Sequence, residues 1–400
     1  MIKPAFQPDA VSKEADFVLG TYPRPPFVLA RGEGMYVYDT DGKAYLDFGA
    51  GIAVNALGHA NQEIVEAVSK QAARLSHVSN LYHSAPQADL AEKLCQLSFA
   101  DKVFFSNSGA EAVEAAIKFS RAYARHKYGE GKTKIVAFEN GFHGRTFGAL
   151  SITNREKYQQ PFRPLLPGVT FAPFNTTADA LDIIDQETCA VVVELVQGEG
   201  GVHVASKEFI QQLRQRCDQT GALLVFDEIQ TGVGRTGKLW AYQHYGIQPD
   251  ILAAAKALGG GLPIGATLLT GAVAQALGPG DHGSTFGGGP VVCRAAQVVL
   301  DHVSRPEFLE HVVKMGAYIV ERLGKIKSPK IKQMRGRGLI IGVEIDGEAK
   351  AVIEQGYARG VLMLSAGPNV IRLLPPLIVS KKDIDHFISV FEKCLAKDQA

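Results

Sequence analysis

Short runs of branched apolar residues alternate with longer, alanine-rich segments of helical periodicity through the middle of the chain. Strands that are apolar along their whole length are typical of parallel sheets with helices on both faces. A repeated order of strand and helix predicts βαβ units. We therefore predict an α/β fold with a large, mostly parallel sheet. The segments that carry this prediction are residues 88–97, 103–106, 110–127, 134–138, 169–172, 190–195, 207–220 and 222–226.

The two ends of the chain have a different pattern. Residues 27–46 alternate between apolar and polar side chains and contain two turn signals, which predicts a small antiparallel meander. After Pro290, long helical stretches lead to short strands and a last helix, which predicts a compact α+β unit. A chain of 400 residues is expected to form two or three domains. We predict an N-terminal arm and meander (residues 1–55) that pack with a small C-terminal domain (residues 291–400), and a large domain between them (residues 56–290).

The composition disfavours several classes of protein. The hydrophobic fraction of 46% and the charged fraction of 21% are those of a globular protein, and a net charge of +1 gives no reason to expect nucleic acid as a partner. No apolar run is long enough to span a membrane, and no signal-peptide pattern is present, so we expect a cytoplasmic protein. The five cysteines lack metal-ligand spacing, and the eleven histidines form no His-Glu-x-x-His motif; we predict reduced thiols and no metal site.

An acid and a lysine end two neighbouring apolar segments. Residues 222–226 read as a buried strand that ends in Asp227, and ligands of open α/β sheets bind at the carboxyl ends of strands. Lys256 ends the apolar segment 251–255 and precedes three glycines, where partial desolvation would lower its pKa and favour Schiff-base chemistry. Pyridoxal phosphate needs a lysine for its aldehyde and a carboxylate for its ring nitrogen. An ordinary surface acid and lysine remain the alternative at this point.

Two small-residue segments are suited to phosphate. Ser108, Gly109 and Ala110 lie between a predicted strand and a predicted helix, where free backbone N–H groups can bind an anion. The alternative is plain N-capping of the helix by a serine. Ser284 and Thr285 lie in a loop with four glycines, and their hydroxyls could also contact phosphate.

Three further loops carry charged or aromatic side chains. Phe142 and Arg145 follow the strand 135–138; a phenylalanine there can cover an aromatic ring, and the arginine can bind a carboxylate. Glu199 lies on a glycine-rich loop after another core strand. Arg372 lies within an apolar strand, so if it is buried it needs an anion, either a substrate carboxylate or Glu199. An outward-facing Arg372 is equally compatible with the alternation of a strand.

Residues 232–238 match the glycine and lysine spacing of a nucleotide-binding P-loop. However, Leu239 stands where a serine or threonine should bind magnesium, and no clear long helix follows. A P-loop hydrolase is therefore disfavoured.

Taken together, the motifs resemble the class III (ornithine-type) aminotransferases, which are pyridoxal phosphate enzymes of fold type I. The resemblance covers nearly the whole chain, and its motifs occur in the family's order. It implies a large domain with a mostly parallel seven-stranded sheet and a smaller α+β domain. The motifs are Ser-Gly-Ala-Glu-Ala (108–112), Phe-His-Gly-Arg (142–145), Gln-Gly-Glu-Gly-Gly (197–201), Phe-Asp-Glu-Ile-Gln (226–230), Ala-Lys-Ala-Leu-Gly-Gly-Gly (255–261) and Gly-Ser-Thr-Phe-Gly-Gly (283–288).

The resemblance implies a role for each residue around the cofactor. Lys256 is the lysine that binds pyridoxal phosphate covalently, Asp227 pairs with the ring nitrogen, and Gln230 lies near the ring hydroxyl. Phe142 and Ile229 cover the two faces of the ring. The phosphate contacts are Ser108, Gly109 and Ala110 of one chain and Thr285 of the partner subunit, so a homodimer with shared active sites is implied.

The resemblance also implies how substrates bind. Arg145 and Arg372 hold carboxylates, Ser284 lies near the substrate, and Glu199 masks Arg372 when the amino donor is bound. Ile52 stands where ornithine aminotransferases tend to carry a tyrosine for a free α-amino group, which favours an acylated donor. We expect N-acetylornithine as donor and 2-oxoglutarate as acceptor, with glutamate as a product, an activity of arginine biosynthesis. N-Succinylornithine and 4-aminobutyrate remain open as donors.

Overall fold

The computed structural model describes residues 10–176 and 181–396, and its centre is a seven-stranded sheet. The strand order is β4-β12-β11-β10-β7-β5-β6. Neighbouring strands run parallel except on the two sides of β12, which is antiparallel to both β11 and β4. The prediction of a mostly parallel seven-stranded sheet is therefore confirmed.

The strands are numbered in chain order. They are β1 (Leu29–Glu33), β2 (Tyr36–Asp39), β3 (Ala44–Asp47), β4 (Lys102–Ser106), β5 (Lys134–Phe138), β6 (Val169–Ala172), β7 (Thr188–Glu194), β8 (Val196–Gln197), β9 (His203–Val204), β10 (Leu223–Asp227), β11 (Ile251–Ala254), β12 (Gly265–Leu269), β13 (Ile331–Arg337), β14 (Ile340–Ile345), β15 (Val361–Leu362), β16 (Leu364–Ser365) and β17 (Val370–Leu373).

The α-helices of the described residues are numbered in the same way. They are α1 (Ala10–Phe17), α2 (Ala50–Ala53), α3 (Gln62–Arg74), α4 (Ala85–Gln96), α5 (Gly109–Tyr128), α6 (Phe147–Ser151), α7 (Glu156–Gln159), α8 (Lys207–Thr220), α9 (Gly271–Ala274), α10 (Pro290–Val303), α11 (Pro306–Gly324), α12 (Ala349–Ala358) and α13 (Lys381–Leu395).

The sheet is buried on both faces, which explains the continuous apolar runs. Every residue of β7, β10 and β11 is buried, and two separate apolar clusters cover the opposite faces. Because β4, β5, β7, β10 and β11 all point the same way, their carboxyl ends meet at one edge of the sheet. The loops that follow these strands are therefore brought together there.

The described residues also form three smaller sheets, two of four strands and the two-stranded pair of β8 and β9. The predicted meander is present as β1, β2 and β3, and its last strand pairs in parallel with β15 from the C-terminal part of the chain. A second antiparallel sheet has the order β13-β14-β17-β16, while α10 packs against α3 and α4. The division into residues 1–55, 56–290 and 291–400 stays a prediction, and the first nine residues of the predicted arm lie outside the described residues.

The segment 232–238 does not form a phosphate-binding loop. It is followed by a short 3₁₀ turn (Ala241–His244), and a P-loop requires a helix at that point. Arg235 within it is buried and donates hydrogen bonds to the carbonyl oxygens of Leu339 (3.1 Å) and Pro375 (2.5 Å). The segment therefore joins the end of β10 to the C-terminal sheet. Within the described ranges, no helix is long and apolar enough to cross a membrane.

Candidate active site

A cavity of about 540 Å³ opens at the carboxyl edge of the large sheet. It brings together loops that follow β4, β5, β7, β10 and β11, together with residues before β12. A pocket of this size at this edge is the expected place for a small ligand. Its lining consists of Val54, Asn107, Ser108, Gly109, Ala110, Phe142, His143, Gly144, Arg145, Glu194, Val196, Glu199, Asp227, Ile229, Gln230, Thr231, Ala255, Lys256, Gly261, Leu262, Pro263 and Ile264.

Asp227 lies at the end of β10 and is held by two hydrogen bonds. His143 Nδ1 is 2.7 Å from Asp227 Oδ2, and the backbone N–H of Ile229 donates to Asp227 Oδ1 at 3.1 Å. Burial opposes a charge on His143, but the hydrogen bond and the negative charges of Asp227 and Glu194 outweigh burial and raise its pKa. The raised pKa favours the charged form of His143, and its hydrogen bond fixes the orientation of the Asp227 carboxylate in the cavity wall.

Lys256, which follows Ala255, lines the cavity. Its backbone is strained. Its φ of 46° lies in the left-handed region, which is uncommon for a residue other than glycine. Burial, followed by the positive charge of Arg372, lowers the pKa of the amine, against the opposing charges of Glu199, Asp227 and Glu194. A lysine with a lowered pKa is a better nucleophile at neutral pH, and strain of this kind is concentrated at functional sites.

The N-terminus of the long helix α5 forms one wall. Ser108 Oγ accepts a hydrogen bond from the backbone N–H of Glu111 at 3.2 Å, so Ser108 is the N-cap. The first amides of a helix have no partner inside the helix and can bind an anion. A Cβ on Gly109 would lie 2.8 Å from Ile229 Cδ1, so only glycine lets the helix start pack this closely against the loop after β10.

Arg372 is buried and forms an ion pair at the edge of the cavity. Arg372 Nη1 lies 2.6 Å from Glu199 Oε1 and donates to Gln230 Oε1 at 3.1 Å. The side chain of Arg372 is 3% exposed and that of Glu199 is 30% exposed, so Glu199 can move into solvent while Arg372 cannot. Of the two orientations that the sequence allows for Arg372, the inward one is observed.

Of the remaining predicted residues, Arg145 lines the cavity, whereas Ser284 and Thr285 do not. Arg145 lines the cavity, and its guanidinium carbon lies 3.4 Å from the centre of the Tyr158 ring, a cation–π contact that fixes the side chain. Ser284 lies just behind the cavity wall, where its hydroxyl accepts a hydrogen bond from Asn107 Nδ2 at 3.1 Å. Thr285 does not line the cavity of its own chain.

Sequence reasoning missed several residues of the cavity. His143 follows Phe142 in the same quoted motif, and the need of a buried acid for a partner could have pointed to it. Glu194, at the end of β7, accepts a hydrogen bond from the backbone N–H of Phe142 at 3.0 Å. Burial raises the pKa of Glu194 to about 7, against the lowering effect of His143. Asn107 was also missed; its side-chain amide donates to Glu111 Oε2 at 3.0 Å and to Ser284 Oγ at 3.1 Å.

Comparison with known proteins identifies the family. A model of the family "Aminotransferase class-III" matches residues 20–395. The chain belongs to the class-III aminotransferases. It is 49% identical over 387 residues to the mitochondrial acetylornithine aminotransferase of Alnus glutinosa, covering 94% of this chain and 85% of the relative. It is 46% identical over 390 residues to the acetylornithine aminotransferase of Caldanaerobacter subterraneus, covering 97% and 99%.

Solved structures of class-III aminotransferases are similar to this chain. The ornithine aminotransferase of Toxoplasma gondii has a TM-score of 0.93 at 30% identity, over 97% of this chain and 94% of its own. The N-acetylornithine aminotransferase of Stenotrophomonas maltophilia has a TM-score of 0.84 at 34% identity, over 96% and 98%. A further structure of the Toxoplasma gondii enzyme is described as having partial occupancy of PLP at the active site. As a member of this family, the chain is a pyridoxal phosphate-dependent transaminase.

The residues present fit pyridoxal phosphate. The cofactor has an anionic phosphate, an aldehyde, a ring nitrogen that must stay protonated and two flat faces. The cavity offers a helix N-terminus, a lysine of lowered pKa and a buried acid in hydrogen-bond contact with a histidine. It also has an aromatic and an aliphatic side chain, Phe142 and Ile229, among its lining residues. No group of three or more potential metal ligands occurs among the described residues.

Proposed function

We propose that this chain moves the terminal amino group of N-acetylornithine to 2-oxoglutarate, giving N-acetylglutamate semialdehyde and glutamate. Five curated relatives named acetylornithine aminotransferase are 44–49% identical to the chain over 85–100% of their lengths. The similar solved structures include both ornithine and N-acetylornithine aminotransferases, so the fold by itself does not separate the two donors.

The ion pair between Arg372 and Glu199 is the observation that carries the proposal. One transaminase cavity must accept two chemically different substrates in turn. With Glu199 in place, as observed at 2.6 Å, the charge of Arg372 is neutralised, which suits a donor without a carboxylate at that position. If Glu199 turns towards solvent, Arg372 can bind a carboxylate of 2-oxoglutarate or glutamate with two of its three guanidinium nitrogens.

Bound pyridoxal phosphate supplies an aldehyde for the amino group and a ring that withdraws electrons from the reacting carbon. We assign the proton transfers at that carbon to the Nζ of Lys256, whose lowered pKa makes the neutral amine available. Asp227, oriented by His143, would hold the proton on the ring nitrogen. Phe142 and Ile229 would exclude water from the ring faces. Ser108, Gly109 and Ala110 would hold the phosphate, Gln230 would lie near the ring hydroxyl, and Arg145 would receive the carboxylate that both classes of substrate share.

A panel of amino donors tests the proposal. The value of kcat/KM with 2-oxoglutarate as acceptor is measured for N-acetylornithine, N-succinylornithine, 4-aminobutyrate and free ornithine. We expect N-acetylornithine to give the highest value. A higher value for 4-aminobutyrate or for free ornithine would show that the proposed donor is wrong.

Ile52 gives the panel a matched variant. It lies before Val54 of the cavity wall, is 41% exposed and has a φ of 63°, which is unusual for a branched residue. A tyrosine there would offer a hydroxyl to a free α-amino group. Ile52→Tyr is expected to raise kcat/KM for ornithine relative to N-acetylornithine, and an unchanged ratio would exclude Ile52 from donor selection.

We also propose that the active enzyme is a homodimer. Thr285, which the family resemblance places at the phosphate, lies outside the cavity of its own chain, so a second copy would have to supply it. Large apolar side chains are exposed around the loop that carries Thr285. Phe286 of this loop is 65% exposed, and Leu81 and Tyr82, which follow Asn80, a hydrogen-bond donor to the carbonyl of Ser284, are 85% and 71% exposed. Exposed apolar surface of this kind is typical of an interface. A cytoplasmic location also stays a prediction.

A further inference from the structure

Glu199 lies at the tip of a small hairpin. Strands β8 and β9 pair in antiparallel fashion, and residues 198–202 form the connecting turn. The turn is closed by a hydrogen bond from the backbone N–H of Val202 to the carbonyl of Gln197 at 2.9 Å. Since a side chain on a turn is only as well placed as the backbone that carries it, the position of Glu199 over Arg372 depends on what holds this turn.

Two arginines hold the turn by its carbonyl oxygens. Arg155 Nη2 donates to the carbonyl of Glu199 itself at 2.9 Å and also contacts the carbonyl of Asn140 at 3.2 Å. Arg335 Nε donates to the carbonyl of Gly201 at 2.6 Å. Hydrogen bonds from a charged donor are roughly twice as strong as neutral ones, so both carbonyls are fixed firmly.

The two arginines come from different parts of the molecule. Arg155 is the residue before helix α7, which lies between β5 and β6 of the central sheet in the chain, whereas Arg335 lies on β13 of the C-terminal sheet. The side chain of Arg335 is 11% exposed and is anchored by an ion pair with Glu344 at 2.5 Å. The turn that carries Glu199 is therefore held by hydrogen bonds from both parts of the molecule. Its position depends on how these two parts are placed relative to each other.

We propose that Arg155 and Arg335 are positioning residues that keep Glu199 over Arg372 and so set the balance between the amino donor and the dicarboxylate acceptor. This inference rests on the proposed function, because it assumes that Arg372 receives a carboxylate of the acceptor. Releasing either carbonyl gives the turn more conformations, and the entropy cost of forming the Glu199–Arg372 pair then rises. Arg372 is uncovered more often, which favours a dicarboxylate and disfavours the donor.

Binding of glutarate to the cofactor-loaded enzyme tests this without turnover. Glutarate has two carboxylates but no carbonyl that could accept an amino group, and its Kd is measured by calorimetry. For Arg155→Gln and Arg335→Gln we expect a Kd about threefold to tenfold lower than that of the wild type. Full loss of a charge-assisted hydrogen bond would give a larger factor, but these hydrogen bonds act on Arg372 only through the turn. Glu199→Gln should give the largest decrease, and Arg372→Gln should abolish glutarate binding.

Single-turnover half-reactions give a second readout, followed by the absorbance of the cofactor. Both arginine variants should slow the half-reaction with N-acetylornithine while the half-reaction with glutamate keeps or gains kcat/KM. A purely structural role would slow both to the same extent. Equal losses in the two half-reactions, or an unchanged Kd for glutarate, would overturn the proposal.

Matched controls are available on the same elements. Arg337→Gln removes an arginine from the same strand as Arg335, where it lies over the Tyr245 ring, and Arg163→Gln removes an exposed arginine that pairs with Glu156. Both variants should behave as the wild type. A change in glutarate Kd for either control equal to that of Arg335→Gln would count against a specific role of Arg335 in holding the turn. If Arg335→Gln fails to fold, Arg155→Gln decides the question by the same criteria.

The outcomes separate this inference from the proposed function. If the wild type transfers no amino group from any donor but glutarate binding follows the expected order, the proposed function is wrong. The role of Arg155 and Arg335 in positioning Glu199 is then still supported. If the wild type is active on N-acetylornithine and the variants do not shift the balance, the function remains and the inference fails.

Discussion

At the scale of single residues, we propose that turnover depends on Lys256. Its strained backbone and lowered pKa are difficult to explain by packing, whereas both suit an amine that must bond to an aldehyde and then move protons. Its neighbours in the cavity, Gly109, Ala110 and Asp227, would hold the cofactor without a covalent bond.

Lys256→Ala is expected to lower kcat by about 10³-fold or more, since both the nucleophile and the proton-transfer group are lost. The cofactor should still bind, because its phosphate and ring nitrogen keep their partners. The measurement is steady-state turnover together with the absorbance of the bound cofactor. The exposed Lys238 provides a control, and Lys238→Ala should behave as the wild type. Full activity of Lys256→Ala would remove Lys256 from the mechanism.

The pair of His143 and Asp227 predicts a pH dependence of stability. The pKa of His143 is raised above its ordinary value of 6.5 in the folded protein. A raised pKa means that the stabilisation is fully present below about pH 6.5 and is lost as the pH rises through the folded value. His143→Asn keeps a hydrogen-bond donor but cannot carry the charge.

We therefore expect the difference in Tm between wild type and His143→Asn to be largest near pH 6 and to shrink as the pH is raised above 6.5. Thermal unfolding of the protein without cofactor, from pH 5.5 to 9, measures this difference. A difference that grows with pH would show that His143 is neutral in the folded protein.

At the scale of elements, the close contact between the start of α5 and the loop after β10 shapes the cavity. Gly109→Ala would place a Cβ within 2.9 Å of two carbon atoms of Ile229, and the side chain of Ile229 would have to move. Overpacking of this kind costs about 1–3 kcal/mol. We expect an increase in the cofactor Kd of about tenfold, since 1.4 kcal/mol corresponds to a factor of ten.

Spectroscopic titration of the cofactor measures the effect of Gly109→Ala. Gly20→Ala is the control, because a Cβ on Gly20 would meet no atom within 4 Å. If Gly109→Ala binds the cofactor as tightly as the wild type, the contact with Ile229 does not shape the ring site.

The sequence predicts the buried parallel strands and long helices well, because each is specified by its own apolar pattern. It does not predict β12 (Gly265–Leu269), which begins with glycine and alanine and is defined by pairing with β4 and β11. The hairpin of β8 and β9 is also missed, because each strand has only two residues, too few to show an apolar pattern.

The candidate site was predictable where a motif fixes the chemistry and not where a contact crosses the fold. Asp227, Lys256 and the start of α5 could be recognised as a group from strand ends and a helix start. For a buried Arg372 the sequence allowed two anionic partners, a substrate carboxylate or Glu199. The hydrogen bond from Arg335 to the carbonyl of Gly201 joins residues far apart in the chain, and no local pattern indicates it.

At the scale of the whole molecule, the proposed homodimer makes a mixing experiment possible. Lys256→Ala lacks the amine, and Thr285→Asp places a negative charge where the partner's phosphate is proposed to bind. Each variant alone should be nearly inactive. In a mixed dimer of the two variants, one site combines Lys256 from one chain with Thr285 from the other and is intact.

Co-refolding equal amounts should restore about a quarter of wild-type activity, because half of the dimers are mixed and half of their sites are intact. The mixture is compared with each variant refolded alone. If activity is not restored although mixed dimers form, Thr285 serves its own chain or no chain, and the shared site is wrong.

The parallel pairing of β3 with β15 has a consequence for synthesis of the protein. The N-terminal meander is made early, yet the strand that completes it belongs to the C-terminal part of the chain and is made only after all seven strands of the large sheet. Until then the edge of β3 is open, and an open strand edge is a place where nascent chains associate wrongly. The first strands to be made are thus among the last to be completed.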